Sequence, residues 1–341
     1  MELTKRKQNI LASIVDGYIR TGEPVGSKSI SELVGASSAT VRNEMADLTE
    51  LGLLEQPHTS AGRVPSAKGY REYVDNLMPH QALSDTERYT LDSMLMKSSF
   101  DLERLLQSAA DTLSFASKYM AVATAPSGAG ARIKAVQFVQ TSRRTAMLIL
   151  MSSSGTMKNK VFHCDFDLSN EIMRIFFRVI NERVIGKAVS DINRAFIQSL
   201  AMSFNDLALL ISPALAALLE VVQETMQAEV FLGGQMNLLY YPEYQNGGVR
   251  QMMQLVEDPE AMCGMLDGKR NSTQIRIGPE NDAEALRDSA VITSRYSIGK
   301  NNSGAVAIIG PTRMDYAHVA AQTAYIAERV GELLTSIMRE E

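Results

Sequence analysis

Ser38-Ala39-Thr40-Val41-Arg42-Asn43-Glu44-Met45 decides how the first quarter of this 341-residue chain folds. Projected at 100° per residue, Val41, Met45 and Leu48 fall on one side, and Ala39, Arg42, Asn43, Ala46 and Glu50 lie opposite. That pattern predicts a helix with one buried face, opened by Ser37 or Ser38 as cap, preceded by a Gly35-Ala36 turn and ended by Gly52. Upstream, Ile10, Leu11, Ile14, Val15, Tyr18 and Ile19 recur at helical spacing over 5–20, with Thr4 as cap and Gly22 as stop. Pro24-Val25-Gly26 then breaks the chain, and Ser27 is expected to cap a short helix running through Leu33. Downstream, Leu53-Leu54-Glu55 reads as a strand, Thr59-Ser60-Ala61-Gly62 as a loop tip and Arg63-Val64 as a return strand. Pro65-Ser66 opens a fourth helix with Tyr70, Tyr73, Val74 and Leu77 on one face. Three helices, a tight turn between the second and third, then a small ribbon, is the order of a winged helix-turn-helix.

Such a module reads duplex DNA with its third helix. Arg42 and Asn43 are the side-chain types suited to base edges, Arg to guanine and Asn to adenine. Ala39 and Ala46 beside them let the backbone approach a surface closely. Ser37, Ser38 and Thr40, at the helix start, can bond phosphates together with free backbone N–H groups. The wing, with His58, Thr59, Ser60 and Arg63, can lie along a phosphate backbone or enter a minor groove. Lys28 is expected to touch phosphate, as are Lys68 and Arg71, although a solvated surface charge is the plain alternative for each. The module is not basic: residues 1–75 hold nine Lys/Arg against ten Asp/Glu, a net charge of −1. DNA binding must therefore come from a few well-placed cations.

Beyond a short polar linker at 78–83, Ser84-x-x-Glu87 forms a capping box and Ser99 is expected to start a further helix to about Lys118. From Tyr119 the period becomes alternating, and Ala121–Ala125, Ile133–Val139, Thr145–Met151 and Thr156–Phe162 read as one antiparallel meander. Helix follows from about Leu168 to Glu229, with stripes Ile172/Ile175/Phe176/Val179 and Leu215/Leu218/Leu219/Val222/Met226, the second opened by Ser212-Pro213. Each stripe reads equally as subunit core or as half of a subunit interface. Strands return at Thr273–Ile277, Val291–Tyr296 and Gly304–Ile309, before a terminal helix from Pro311 onward. A helical block between strands of one kind predicts an insertion into an α+β domain.

Length alone predicts two or three domains. The densest apolar run, Ala146–Met151, is strand-sized, and Met1–Lys7 lacks the apolar follow-on of a signal peptide. Cys164 and Cys263 have no metal spacing and suit a reducing compartment, so a cytoplasmic protein without membrane attachment is expected. His58, His80, His163 and His318 are scattered, and no nucleophile-elbow motif is present. Gly233-Gly234 and Gly247-Gly248 read as turns, and Gly310-Pro311-Thr312 as a strand-to-helix turn in preference to an anion cradle. These features predict neither an enzyme nor a bound cofactor or metal.

Four stretches carry a family resemblance: Pro24-Val25-Gly26-Ser27-Lys28, Ser38 to Met45, Pro57-His58-Thr59-Ser60-Ala61-Gly62-Arg63-Val64-Pro65, and Gly69-Tyr70-Arg71-Glu72-Tyr73-Val74-Asp75. Together with Phe231–Leu239, Ile277-Gly278-Pro279-Glu280-Asn281 and Gly310-Pro311-Thr312-Arg313-Met314-Asp315-Tyr316, they resemble the heat-inducible transcription repressor family HrcA over nearly the whole chain. The resemblance implies an α+β multidomain fold. A winged helix with its linker would occupy 1–83, and a GAF-like antiparallel-sheet domain 84–165 and 231–341, with a helical dimerisation insert at 166–230. It further implies a homodimeric repressor of chaperone operons in the bacterial cytoplasm. That repressor would bind double-stranded DNA at an inverted-repeat operator of the CIRCE kind, be kept active by a GroEL-type chaperonin, and be released on heat shock. The alternative is a repressor whose GAF-like domain receives a metabolite.

Overall fold

Thr4 accepts from Lys7 N and opens helix α1 (Lys5–Thr21), which Gly22 ends in the left-handed region at φ 72°. Helices α2 (Ser27–Val34) and α3 (Ser38–Glu50) follow, separated by Gly35 at φ 63°. Gly26, not Ser27, occupies the cap position of α2; Ser27 is buried, and its hydroxyl lies 3.0 Å from that of Ser38. Strands β1 (Leu54–Glu55) and β2 (Val64–Pro65) pair antiparallel as the wing. Helix α4 (Ala67–Glu72), capped by Ser66, continues into a π-helical turn at Tyr73–Leu77. This computed structural model describes residues 3–59, 61–96, 101–126, 128, 130–203, 208–245, 247–267, 272–298 and 302–339.

The capping box forms as expected at the start of α5 (Asp85–Leu95). The start predicted at Ser99 lies outside the described residues; Asp101 caps α6 (Leu102–Ser117), accepting from Glu103 N and Arg104 N. The single meander expected from residue 121 to 162 is divided. Strand β3 (Met120–Thr124) belongs to a five-stranded antiparallel sheet, whereas β4 (Ile133–Gln140), β5 (Thr145–Ser152) and β6 (Met157–His163) form a separate three-stranded sheet. The reason lies in burial: β3 is buried along its whole length, as a central strand must be, while β4 to β6 present one face only.

Helices α7 (Asn170–Val184), α8 (Arg194–Met202) and α9 (Ala208–Met226) cover that face, and one apolar core runs from Ala131 through Leu148, Phe176 and Leu218 to Val222. Both apolar stripes are thus mainly core within the subunit. Pro213 lies inside α9 instead of at its first turn. The carbonyl of Leu209, which Pro213 cannot serve, accepts from Ser212 Oγ at 3.1 Å. By length and composition α9 is apolar enough to cross a bilayer, but Ile211, Leu215, Leu218 and Val222 are buried against the sheet.

Strand β7 (Val230–Gly233) returns to the larger sheet, and helices α10 (Gly248–Val256) and α11 (Pro259–Met265) follow. Strands β8 (Thr273–Ile277), β9 (Ser289–Ile298) and β10 (Asn302–Pro311) complete the order β7-β3-β10-β9-β8, and α12 (Tyr316–Arg339) closes the chain. Gly310-Pro311 ends β10, so this segment is a strand end leading to α12. One face of the sheet packs with α5, α6 and α12 in a core that also contains Ile10, Val41, Leu48 and Tyr70 of the first four helices. The other face packs under α10 and α11 through Val122, Leu238, Met252 and Met262.

Candidate nucleic-acid interface

Ser37 fixes the start of α3: its hydroxyl accepts from Thr40 N at 3.1 Å and lies 2.9 Å from Thr40 Oγ1. Val41, Met45 and Leu48 face inward at 0%, 3% and 0% exposure, which turns Ala39, Arg42, Asn43 and Ala46 to solvent. Ser38 and Thr40 are half-buried at the amino end, Ser37 is exposed there, and Lys28 is exposed on the first turn of α2. His58 and Thr59 are exposed at the wing tip, whereas Ser60 lies outside the described residues. The strip of α3 and, at the wing tip, His58 and Thr59 thus stand on open surface.

Two clamps hold α3 from its flanks. On the wing side, Arg63 Nε donates to Thr49 Oγ1 at 3.1 Å, and Thr49 itself donates to Met45 O at 2.8 Å. Arg63 is half-buried, so its guanidinium ties the wing to α3 as well as lying near its surface. Its peptide also pairs with Val25, N to O in both directions at 2.9 Å, so the chain entering α2 becomes a third, bridge-sized strand of the wing. Gln56 Nε2 donates to Thr59 O and Ala61 O and closes the tip. On the other flank, Lys7 Nζ donates to Asp47 Oδ2 at 2.8 Å and lies 3.6 Å from Glu44 Oε2, and Arg6 Nη1 is 3.9 Å from Glu44 Oε1. The hydrogen bond to Asp47 leads the effects that raise the Lys7 ammonium above its ordinary value.

Two expected phosphate contacts are instead structural. Lys68 Nζ donates to Leu51 O at 3.0 Å, at the carboxyl end of α3. Arg71 points away from the α3 strip into the body of the molecule: Nε donates to Glu280 Oε1 at 2.8 Å, Nη2 bonds Glu280 Oε2 and Ile275 O, and Nη1 bonds Asp75 Oδ1 at 3.0 Å. A fork-shaped guanidinium facing a carboxylate is the strong form of such a pair, and it docks α4 on the end of β8. The Tyr70 and Tyr316 rings pack in a tilted pair with centroids 5.7 Å apart, and Arg313 pairs with Glu243 beside Gly22. The segments 69–75, 277–281 and 310–316 thus build one dock between the winged helix and the sheet.

Lys7, Arg6, Thr49 and Glu280 went unread because their partners lie 14 to 209 residues away. A cation in the first turn of α1 and acidic residues on α3 were the only local hints. Among the described residues, no group of three His, Cys, Asp or Glu is placed to hold a metal ion.

Two family models cover most of the chain. Residues 2–76 match the winged helix-turn-helix transcription repressor, HrcA DNA-binding, and residues 103–320 match the HrcA protein C terminal domain. The heat-inducible transcription repressor HrcA of Acetivibrio thermocellus is 36% identical over 338 residues, spanning 97% of this chain and 96% of that protein. Its counterpart in Halalkalibacterium halodurans is 35% identical over 346 residues, spanning 99% of both. A crystal structure at 2.2 Å resolution, described as a hypothetical protein, superposes with a TM-score of 0.70 at 25% identity, covering 98% of this chain and 100% of that one.

Proposed function

This chain belongs to the HrcA family of heat-inducible transcription repressors, and from that premise we propose that it silences chaperone operons by binding an inverted-repeat operator as a homodimer. The coarser part belongs to the family: the winged helix is a DNA-binding module, and the chain is a repressor and not an enzyme. The observation that carries the finer reading is the exposed strip of α3, where Ala39 and Ala46 leave room beside Arg42 and Asn43. In this reading Arg42 and Asn43 contact base edges, while Lys28, Ser37, Ser38, Thr40, His58, Thr59, Ser60 and Arg63 position the phosphate backbone.

A palindromic operator calls for two recognition helices related by a dyad. The reading places that dyad in the insert, supported by Phe177, Met202 and Leu209, which stand 43%, 73% and 84% exposed on α7 to α9. We draw this insert at about 130–226 instead of 166–230, because β4 to β6 share their core with α7 to α9. The winged helix keeps 1–83, and the five-stranded sheet with its flanking helices supports a GAF-like domain formed by what precedes and follows the insert. Maintenance by a GroEL-type chaperonin, a cytoplasmic setting and release on heating follow from the family resemblance. A second reading, a metabolite receptor, is favoured by a cleft of about 940 Å³ between β8–β9 and α12, lined by Thr273, Ser294, Tyr296 and Glu328.

Gel shifts at stated salt test the first reading, using an inverted-repeat duplex with and without chaperonin. Arg42→Ala is expected to cost about 1–3 kcal/mol and to relax specificity at one base pair. Lys28→Gln is expected to weaken all sequences alike and to reduce the salt slope by about 0.9 per recognition helix. Identical behaviour of the two variants would refute the division into base and phosphate contacts. A small molecule recovered from the cleft would favour the receptor instead.

A further inference from the structure

We propose that Lys7, assisted by Arg6, is a positioning residue for DNA recognition: it neutralises Glu44 and Asp47 on one flank of α3, so that these two carboxylates do not stand bare against the phosphates beside Arg42 and Asn43. The proposal rests on α3 being the DNA-reading helix.

Asp47 follows Asn43 by one helical turn, so the two side chains are neighbours on the solvent-facing side of α3. Glu44 lies between Asp47 and the buried face and is 19% exposed, while Asp47 is 54% exposed. Left alone, these carboxylates would put two negative charges next to a surface that meets one phosphate charge about every 1.7 Å of helix axis. The whole module has no surplus of cations to offset them, since residues 1–75 carry a net charge of −1.

Lys7 is the group that meets both carboxylates, at 2.8 Å and 3.6 Å, and Arg6 reaches Glu44 at 3.9 Å. An exposed ion pair adds little to fold stability, because solvent screens it and two long side chains lose freedom to form it. Beside a polyanion the same charge weighs more: each unit gained or lost at the interface changes the counterion release that sets affinity. The arrangement therefore bears chiefly on binding. The wing clamp, Arg63 on Thr49, holds the opposite flank of the same helix through an uncharged hydroxyl.

The experiment uses the full chain with Lys7→Gln, Asp47→Asn and the double variant. Each is titrated at several salt concentrations against the inverted-repeat duplex and an unrelated duplex of equal length, with thermal melts in parallel. Lys7→Gln is expected to weaken binding to both duplexes, on the order of five- to tenfold at about 0.1 M salt. The double variant is expected to return to within about twofold of the unmodified chain, and Asp47→Asn alone to bind as tightly or more tightly. If the double variant is as weak as Lys7→Gln, Lys7 acts on phosphate directly or on the fold, and the proposal is overturned. Should Lys7→Gln lower the melting temperature, Asp47→Asn alone decides, and weaker binding by it overturns the proposal. An unmodified chain that binds neither duplex removes the reading of α3 and this proposal with it; normal binding without rescue removes this proposal alone.

Discussion

At Gly62 the wing runs so close to the chain entering α2 that an added Cβ would sit 2.4 Å from Val25 O. Backbone cannot step aside there, because Arg63 and Val25 are joined by two peptide hydrogen bonds. Gly62→Ala is therefore expected to destabilise the protein by about 1–3 kcal/mol. A urea titration of the full chain measures this, and an unchanged midpoint would mean that the wing is looser than its hydrogen bonds require. The one-dimensional pattern placed Gly62 in a loop tip and Arg63 among phosphate contacts. It located the turn, because glycine and small polar residues interrupt an apolar rhythm. The β-bridge to Val25 was beyond it, since nothing local records which peptide 38 residues away will pair. The exposed strip of α3 was readable for the opposite reason: a helical period is local, and Val41, Met45 and Leu48 fix the inward face by themselves.

Helix α4 shows the same contrast one scale up. Its cap at Ser66 and its buried Tyr70 follow from spacing, but its partner is the turn at Gly278-Pro279-Glu280, more than 200 residues on. Burial works to raise the Glu280 carboxyl, yet the Arg71 hydrogen bonds, the Ile277 N–H and the Arg71 charge together hold it below the ordinary range. A carboxyl depressed in the folded state contributes stability that is present above its unfolded value, about 4.3, and is lost as pH falls through the folded value. The dock between winged helix and sheet is thus expected to loosen below about pH 4. Glu280→Gln should weaken it already at neutral pH and flatten that acid dependence, with the pair's partial exposure keeping the effect modest. Limited proteolysis at the 78–83 linker across pH reads the dock directly; equal cleavage of both proteins at every pH would contradict it. The division of β3 from β4 was missed for a related reason: alternation marks a strand but not the sheet it joins.

For the molecule as a whole, the distribution of core residues matters most. The first four helices share an apolar core with α5, α6, α12 and the larger sheet, while the insert keeps its own from Ala131 to Val222. Polar contacts tie the two together, including Lys158 Nζ to Glu103 Oε1 at 3.0 Å and Asn302 Nδ2 to Ser153 O at 3.0 Å. Separate cores joined by polar contacts are expected to melt as separate units. Leu218 is fully buried in the insert, so Leu218→Ala should cost about 2–5 kcal/mol there. Calorimetry should then show one heat-absorption peak moved down and the other in place; a single peak moving whole would contradict this. The docking of α4 carries a consequence for the operator too. With Arg71 gripping Glu280 and Tyr70 packed against Tyr316, the linker at 78–83 is bypassed and α3 is held to the body by the dock. In the proposed dimer the gap between the two reading heads is then set by the frame, as in a fixed calliper. Adding or removing a base pair at the centre of the palindrome should be tolerated far less than altering a base at its edge.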